Sequence, residues 1–351
     1  MKLPKIKLRK QKPSLPPRIT NETVAEHRER ILAGGRRFKY PIQYGRRRLV
    51  INAILIGLAT LVLTVAIGWW QLYIVQNTGN FMYQVTKVIP VPVAKVDGQF
   101  VRYSDYLMQY RSNIHLAEAR PETGIILTGE DGEKQRDYFK RMTLNNAITD
   151  GYAKKVAEDL DISVSDEEVQ ALFNEHRIAS NGQELSRAAY SATINETYGW
   201  SEDEYLRILE RQLLRQKVSL AIDNEAGELK DELAAKLKSD GSNFEEVASQ
   251  YEDRVELAAP GKVPRTNADG GLSQLAASLE PGKVSEAFVS RGIDGYYFVK
   301  LLEKTDKDVN YLSIKVPLTE FTSRLEKAQK QDGFKEYIKV PNVEAQRSQE
   351  D

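Results

Sequence analysis

One long stretch of the sequence is apolar and carries no charge. It runs from Leu49 to Tyr73. Its few polar residues are Asn52, Thr60, Thr64 and Gln71. At ~1.5 Å per residue, a helix of this length spans roughly 37 Å, more than the ~30 Å hydrocarbon core of a bilayer. Because a buried helix of a soluble domain usually keeps a polar stripe, the pattern predicts a transmembrane helix over residues 49–75.

The next hundred residues change from extended to helical patterns. Residues 76–92 read as a linker, and residues 93–103 form two alternating runs joined at Asp97-Gly98, a strong signal for a hairpin turn. Ser104 is predicted to cap a helix that reaches about Arg120, and residues 121–133 read as a loop.

Helical periodicity dominates the stretch from residue 133 to about residue 220. Two helix starts carry Ser followed by Glu three residues later, the capping-box spacing, at Ser165/Glu168 and at Ser201/Glu204. The pattern predicts a helical domain over residues 93–220, long enough to form its own core.

Strand and helix signals mix after residue 220. Helices are predicted at 225–239, 243–251 and 272–279, a loop at 252–267, and strands at 218–223, 280–289, 295–302 and 309–316. The prediction is a small α+β domain over residues 221–316, followed by a helix at 319–331 and a polar tail to residue 351.

Charge gives the membrane segment a direction. The residues before Leu49 include fifteen Lys and Arg against three Glu, and Arg46, Arg47 and Arg48 abut the apolar run. The rest of the chain is acidic, which the near-zero total charge conceals. Positive flanks stay in the cytoplasm, so residues 1–48 are predicted to be a cytoplasmic basic arm, disordered over residues 2–12, and the C-terminal domains to be extracytoplasmic. The aromatic residues at the far end, expected at the headgroup layer, are Trp69, Trp70 and Tyr73.

The residues exclude several kinds of chemistry. The chain has no Cys, and its three His are far apart in sequence, so neither a thiol nucleophile nor a His-based metal site is expected. No phosphate loop, Gly-x-Ser-x-Gly or His-Glu-x-x-His motif occurs. We therefore expect no cofactor and no metal.

Five short motifs and a pair of glycines occur in the order found in one family. Residues 93–98 resemble its A-x-V-N-G start, and residues 162–169 resemble its recurrent helix start. Residues 241–248 resemble G-x-x-F-x-x-L-A, residues 279–285 resemble L-x-x-G-x-V-S, and residues 295–301 resemble G-Y-H-I-I-K-L, with Gly270-Gly271 matching a double glycine. The chain thus resembles the parvulin-type (rotamase, PpiC) foldases, of which SurA and PrsA are representatives. The resemblance implies a SurA-like N-terminal chaperone region followed by a parvulin-like domain.

That resemblance implies cis–trans isomerisation of X-Pro bonds and binding of unfolded or newly exported polypeptides. The expected partners are such polypeptides and the lipid bilayer, with no nucleic acid. On the family pattern, Tyr297 and Asp253 are the candidate catalytic residues, and Leu275, Phe288 and Tyr296 the candidate peptide-binding residues.

The sequence also departs from the family pattern. Strand 218–223 lacks the family His, and Tyr297 replaces the second His. The stretch that brings Met and Phe to the proline pocket is shortened to residues 273–278. Two alternatives therefore stay open. In the first, Tyr297 and Phe288 are packing residues and not site residues. In the second, strand 309–316 replaces the family's first strand. The functional alternatives are an inactive holdase and a scaffolding protein of the cell envelope.

Overall fold

The computed structural model describes residues 19–39, 41–120, 122, 124–178, 183–240, 243–267, 269–290, 292 and 294–342. Two compact units divide between Gln71 and Leu72. The first contains helix α1 (Asn21–Lys39) and most of helix α2 (Pro41–Tyr73). The predicted disordered segment 2–12 lies outside the described residues.

Helix α2 contains the apolar run. The 27 residues Arg47–Tyr73 have a mean hydropathy of 2.5 in their most apolar window, and that window is 0% buried. Apolar side chains are exposed along its length, for example Leu58 at 57% and Leu61 at 61%. By length and composition, this helix could cross a membrane, as an anchor or a signal segment does.

The predicted hairpin is present in the second unit. Strand β1 (Pro92–Val96) pairs antiparallel with β2 (Gln99–Arg102). Asp97 and Gly98 both have positive φ, 46° and 84°, as a two-residue turn of this handedness requires. Behind the hairpin, Tyr73 donates a 2.7 Å hydrogen bond to the Pro92 carbonyl oxygen and contacts the Tyr103 ring edge-on. Tyr73 is therefore partly buried against the hairpin, and its predicted position at the lipid headgroups stays a prediction.

A helix replaces most of the predicted linker 76–92. Helix α3 (Asn80–Val88) buries Tyr83 and Thr86, and the Tyr83 hydroxyl donates to the Glu204 carboxylate. Val85, Thr86 and Val88 are weak helix formers, so the helical signal in this segment is weak. Burial against neighbouring helices overrides that weak preference.

Two helix starts differ from prediction. Helix α4 (Tyr103–Ala119) begins one residue before Ser104, because β2 leads directly into it, and Arg102 occupies the cap position. Helix α5 (Gly129–Asp159) begins inside the predicted loop 121–133. A side chain at Gly132 would collide with the Leu127 carbonyl group, so only glycine allows the preceding chain to lie this close.

The capping boxes are confirmed at both positions. Helix α6 (Asp166–His176) starts with reciprocal Ser165 and Glu168 bonds of 2.9 and 3.3 Å. Helix α7 (Arg187–Tyr198) follows, and helix α8 (Glu202–Ile222) starts with the same pair at Ser201 and Glu204. Helix α8 includes residues 218–222, so the prediction of a strand at 218–223 is wrong. We call α3–α8 with the hairpin the helical module (residues 80–222).

The α+β part forms one antiparallel sheet with helices on both faces. Its helices are α9 (Asn224–Asp240), α10 (Phe244–Ser249) and α11 (Leu272–Ser278). Its strands are β3 (Glu256–Pro264), β4 (Phe288–Val289), β5 (Gly295–Lys304) and β6 (Asp308–Pro317), in the order β3-β6-β5-β4. We call these elements the sheet module (residues 224–317). Gly241 and Ser242 of the family-like motif lie outside the described residues.

Two strand predictions in the sheet module need correction. The predicted loop 252–267 contains a 3₁₀ turn, Glu252–Arg254, and the nine-residue strand β3, whose register shifts between Ala258 and Gly261 around Pro260. A proline inside the segment argues against a strand, and the shift in register interrupts the alternating pattern. The sequence therefore does not reveal this strand. The predicted strand 280–289 reduces to β4 and an isolated bridge at Val284. Strand β6 is an interior strand of the sheet, and the alternative that it replaces the family's first strand stays a prediction.

The chain then returns to the helical module. Helix α12 (Glu320–Gln329) and strand β7 (Lys335–Glu336) follow, and β7 pairs with β1 as the third strand of the hairpin sheet. Ile338 and Val340 are buried in the same core as β1 and α5. Residues 335–342 are therefore part of the fold, and the polar-tail prediction is wrong there; residues 343–351 lie outside the described residues.

Candidate functional site

Three of the five predicted site residues lie on one face of the sheet. Tyr297 on β5 is the register partner of Phe288 on β4, and residues directly opposite in a sheet point to the same face. Leu275 of α11 packs against the same apolar cluster as both. Tyr297, Phe288 and Leu275 are each half-buried, so this face holds a shallow apolar surface with one hydroxyl.

The other two predicted residues lie elsewhere. Tyr296 points to the opposite face, where the Lys230 ammonium lies 5.3 Å from its ring centroid. Asp253 is exposed in the 3₁₀ turn before β3. Among the described residues, no hydrogen bond joins Asp253 to Tyr297. The structure therefore does not assemble the predicted set of five into one site.

Tyr297 instead belongs to a polar cluster that the sequence reasoning missed. Its hydroxyl donates to Asp294 Oδ2 at 2.9 Å, and the Ser290 hydroxyl donates to Asp294 Oδ1 at 2.7 Å. Lys315, the register partner of Tyr297 on β6, forms ion pairs with Asp294 at 3.1 Å and Glu256 at 3.2 Å. The only sequence signal for Asp294 is its position in the turn three residues before Tyr297.

The protonation states of this cluster follow from its contacts. Burial and the hydrogen bond to Asp294 raise the pKa of Tyr297 well above its usual value, so the phenol stays protonated at neutral pH. Burial acts to raise the pKa of Asp294, but hydrogen bonds from Ser290, Lys315 and Tyr297 outweigh it, and the pKa is lowered. The cluster therefore presents a carboxylate held by a hydroxyl and an ammonium, and Tyr297 is a hydrogen-bond donor, not a base.

A cleft lies beside this cluster, between the two modules. Its volume is about 600 Å³, and it separates α6 and α8 of the helical module from α11 and β4 of the sheet module. Its apolar lining residues are Ala171, Leu172, Leu213, Leu275, Phe288 and Val289. Its polar lining residues are Glu168, Glu175, Gln212, Gln216 and Gln274. Amide side chains beside apolar ones suit an extended polypeptide, whose backbone needs hydrogen bonds and whose side chains need burial.

One glycine shapes this cleft. Gly271 caps α11 at φ 99°, and a side chain there would lie 3.2 Å from Cζ of Phe288. Glycine adopts this left-handed conformation without strain and leaves room for the Phe288 ring. This gives a physical reason for the second glycine of the Gly270-Gly271 pair.

A second groove runs along α8. Its volume is about 310 Å³, and Gln212 lines both it and the cleft. Arg211 in this groove pairs with Asp105 at 2.6 Å through Nη2, while its Nη1 is buried and has no hydrogen-bond partner among the described residues.

The comparison with protein families gives a match that includes most of the helical module. Residues 43–219, half of the chain, match the model of the SurA-like N-terminal domain family. The chain belongs to this family, which supports a chaperone of the SurA and PrsA type, and SurA-like domains bind unfolded polypeptides. The match begins within α2 and ends before α9, so it does not extend to the sheet module. No curated protein and no solved structure matches the chain.

Proposed function

We propose that the protein is a membrane-anchored extracytoplasmic foldase that binds unfolded or newly exported polypeptides in the cleft between its modules. The observation that supports this most is the cleft itself. Leu172 and Leu213 from the helical module face Leu275 and Phe288 from the sheet module, with amide side chains around them. Family membership supplies the same activity for the helical module.

The proposed topology places α2 in the membrane, the basic N-terminal arm in the cytoplasm and everything after Tyr73 outside. The charge difference before and after the apolar run supports this orientation. Protease added to intact cells should degrade the part after Tyr73 and spare the N-terminal arm. Protection of the C-terminal part would refute the orientation.

Client binding is tested by one substitution in the cleft. Leu275→Lys places a charge among apolar side chains, and loss of a buried leucine contact of about 1.5–3 kcal/mol corresponds to roughly tenfold or greater loss of affinity. Leu302→Lys is the matched control, because Leu302 is 42% exposed on β5 and does not line the cleft. The measurement is the affinity of the full chain in detergent for a fluorescent unfolded client, together with suppression of its aggregation. Equal behaviour of the two variants would refute the cleft as the client site.

The finer proposal is that the sheet module, parvulin-like over residues 221–316, accelerates isomerisation of X-Pro bonds. Unaided, this reaction crosses a barrier of ~18–20 kcal/mol, and a thousandfold acceleration needs only ~4 kcal/mol. An apolar surface at Leu275 and Phe288 would desolvate the prolyl ring, and the hydroxyl of Tyr297 would donate to the twisted amide. No strong acid or base is needed.

A holdase without catalysis is the second candidate, and a specific observation favours it. The Tyr297 hydroxyl is already bonded to Asp294, and Asp253 and Tyr296 point elsewhere. The full chain should be assayed on a proline tetrapeptide together with Tyr297→Phe. Acceleration that falls in Tyr297→Phe supports isomerisation through this residue. A flat response, with aggregation of a client still suppressed, identifies the holdase.

A further inference from the structure

Helix α1 carries an apolar face that the proposed function does not use. Val24, Ile31 and Leu32 are 52%, 70% and 54% exposed. Val24 and Ile31 are seven residues apart, which leaves them about 20° apart around a helix of 3.6 residues per turn. The three acidic residues of the helix, Glu22, Glu26 and Glu29, fall on the opposite side.

The chain confines α1 to the neighbourhood of the membrane. One residue, Tyr40, separates α1 from α2, and the candidate membrane span begins at Arg47. Even fully extended, the residues from Lys39 to Arg47 reach only about 28 Å, and in helical form ~12 Å. Helix α1 therefore cannot move far from a bilayer that holds α2.

The charge of the N-terminal region also favours binding of α1 to an anionic membrane surface. The sequence before Leu49 holds fifteen basic and three acidic residues. Around the helix, Arg28 falls between Val24 and Leu32, and Arg30 falls on the far side. A long basic side chain such as Arg28 extends from an apolar boundary to lipid headgroups. Anionic leaflets attract such residues by about 1 kcal/mol each near the surface.

We propose that α1 is an interfacial helix, with Val24, Ile31 and Leu32 inserted at the lipid boundary and its basic residues bound to anionic headgroups. The exposed apolar face, the acidic far side, the short tether and the basic excess carry this inference. It rests on α2 spanning the membrane. Its consequence is a second, charge-dependent attachment that orients the N-terminal arm along the bilayer.

The natural absence of Cys makes the test direct. Single cysteines at Ile31→Cys, Glu29→Cys and Leu58→Cys are spin-labelled in the full chain. The chain is reconstituted in neutral phosphatidylcholine vesicles and in vesicles with about 30% phosphatidylglycerol. Oxygen, which concentrates in lipid, and a water-soluble nickel chelate report the depth of each label. In anionic vesicles we expect position 31 to lose accessibility to the chelate and gain it to oxygen, while position 29 stays accessible to the chelate.

Each outcome decides between explanations. A chelate-accessible label at position 58 would mean that α2 is not in the membrane, so the anchor itself fails. A deep label at 58 with a chelate-accessible label at 31 would overturn the interfacial helix alone. Shielding of position 31 from both probes would mean that a protein surface or a second copy covers α1, which also overturns the proposal. Equal depth in neutral and anionic vesicles would overturn the role of headgroup charge.

Discussion

Replacing Ile338 with alanine tests whether the C-terminal segment completes the helical module. Ile338 is 2% exposed and lies in the same core as Val93, Val96 and Tyr103, although more than 230 residues separate it from them in sequence. The segment is held further by the backbone bond from Tyr337 N to the Val93 carbonyl oxygen, 2.9 Å, and by Arg141, which pairs with Glu336 at 2.7 Å and donates to the Val340 carbonyl oxygen.

The expected cost follows from the burial of this side chain. Ile→Ala in a packed core loses the transfer free energy of the missing atoms and leaves a cavity, about 2–5 kcal/mol in total. Domains are stable by only about 5–15 kcal/mol, so the loss is a large share of the total. Among the described residues, Ile338 belongs to the hairpin core and to neither cluster of the sheet module, so the loss should be concentrated in the helical module.

Two measurements check this. Urea unfolding of the part after Tyr73 should show a lower free energy of unfolding, and hydrogen exchange should accelerate at Ala94 and Lys95 of β1 more than at the β5 amides. Leu257→Ala is the matched control, since Leu257 is 46% exposed and its removal should change stability by less than about 0.5 kcal/mol. Unchanged exchange in β1, or a uniform change in both modules, would refute the reasoning.

Three further predictions concern single contacts. Gly295→Ala should lower the melting temperature, because a side chain there would lie 2.5 Å from the Val316 carbonyl oxygen and force β5 and β6 apart, at a cost of about 1–3 kcal/mol. Asp294→Asn should flatten the acid end of the stability profile. The lowered pKa of Asp294 gives stability that is present above the unfolded pKa of ~3.9 and is lost as the pH falls through the folded pKa. The urea midpoints of the two proteins should therefore converge as the pH falls below the unfolded pKa. Asp223→Ala should lower the free energy of unfolding by about 1–3 kcal/mol. The buried Asp223 side chain accepts hydrogen bonds from a backbone N–H of α9 at 3.1 Å and from two backbone N–H groups at the start of α12 at 2.8 and 3.0 Å. A change below about 0.5 kcal/mol in chemical denaturation would contradict this role of Asp223.

The sequence alone determined the features that depend on neighbouring residues. The apolar run of α2 is a property of composition over one helix length, and the Asp97-Gly98 turn and the Ser–Glu capping boxes need only residues two or three apart. Such local signals are complete in the chain before any tertiary contact forms. Successive side chains of a strand point to opposite faces, so Tyr296 and Tyr297 lie on different faces of the sheet. The motif resemblance had assigned both residues to one site.

Tertiary structure decided what pairs over long distances. Strand β3 contains Pro260 and an irregular register, and it becomes a strand only because β6 lies beside it. Helix α3 forms against neighbouring helices of the helical module despite its β-branched residues. The C-terminal segment pairs with a hairpin more than two hundred residues earlier in the sequence. The cleft arises in the same way, because Leu213 and Leu275 approach each other only when two modules pack. Burial and hydrogen bonding between distant segments outweigh local preference at these places, and such contacts leave no periodic pattern in the sequence.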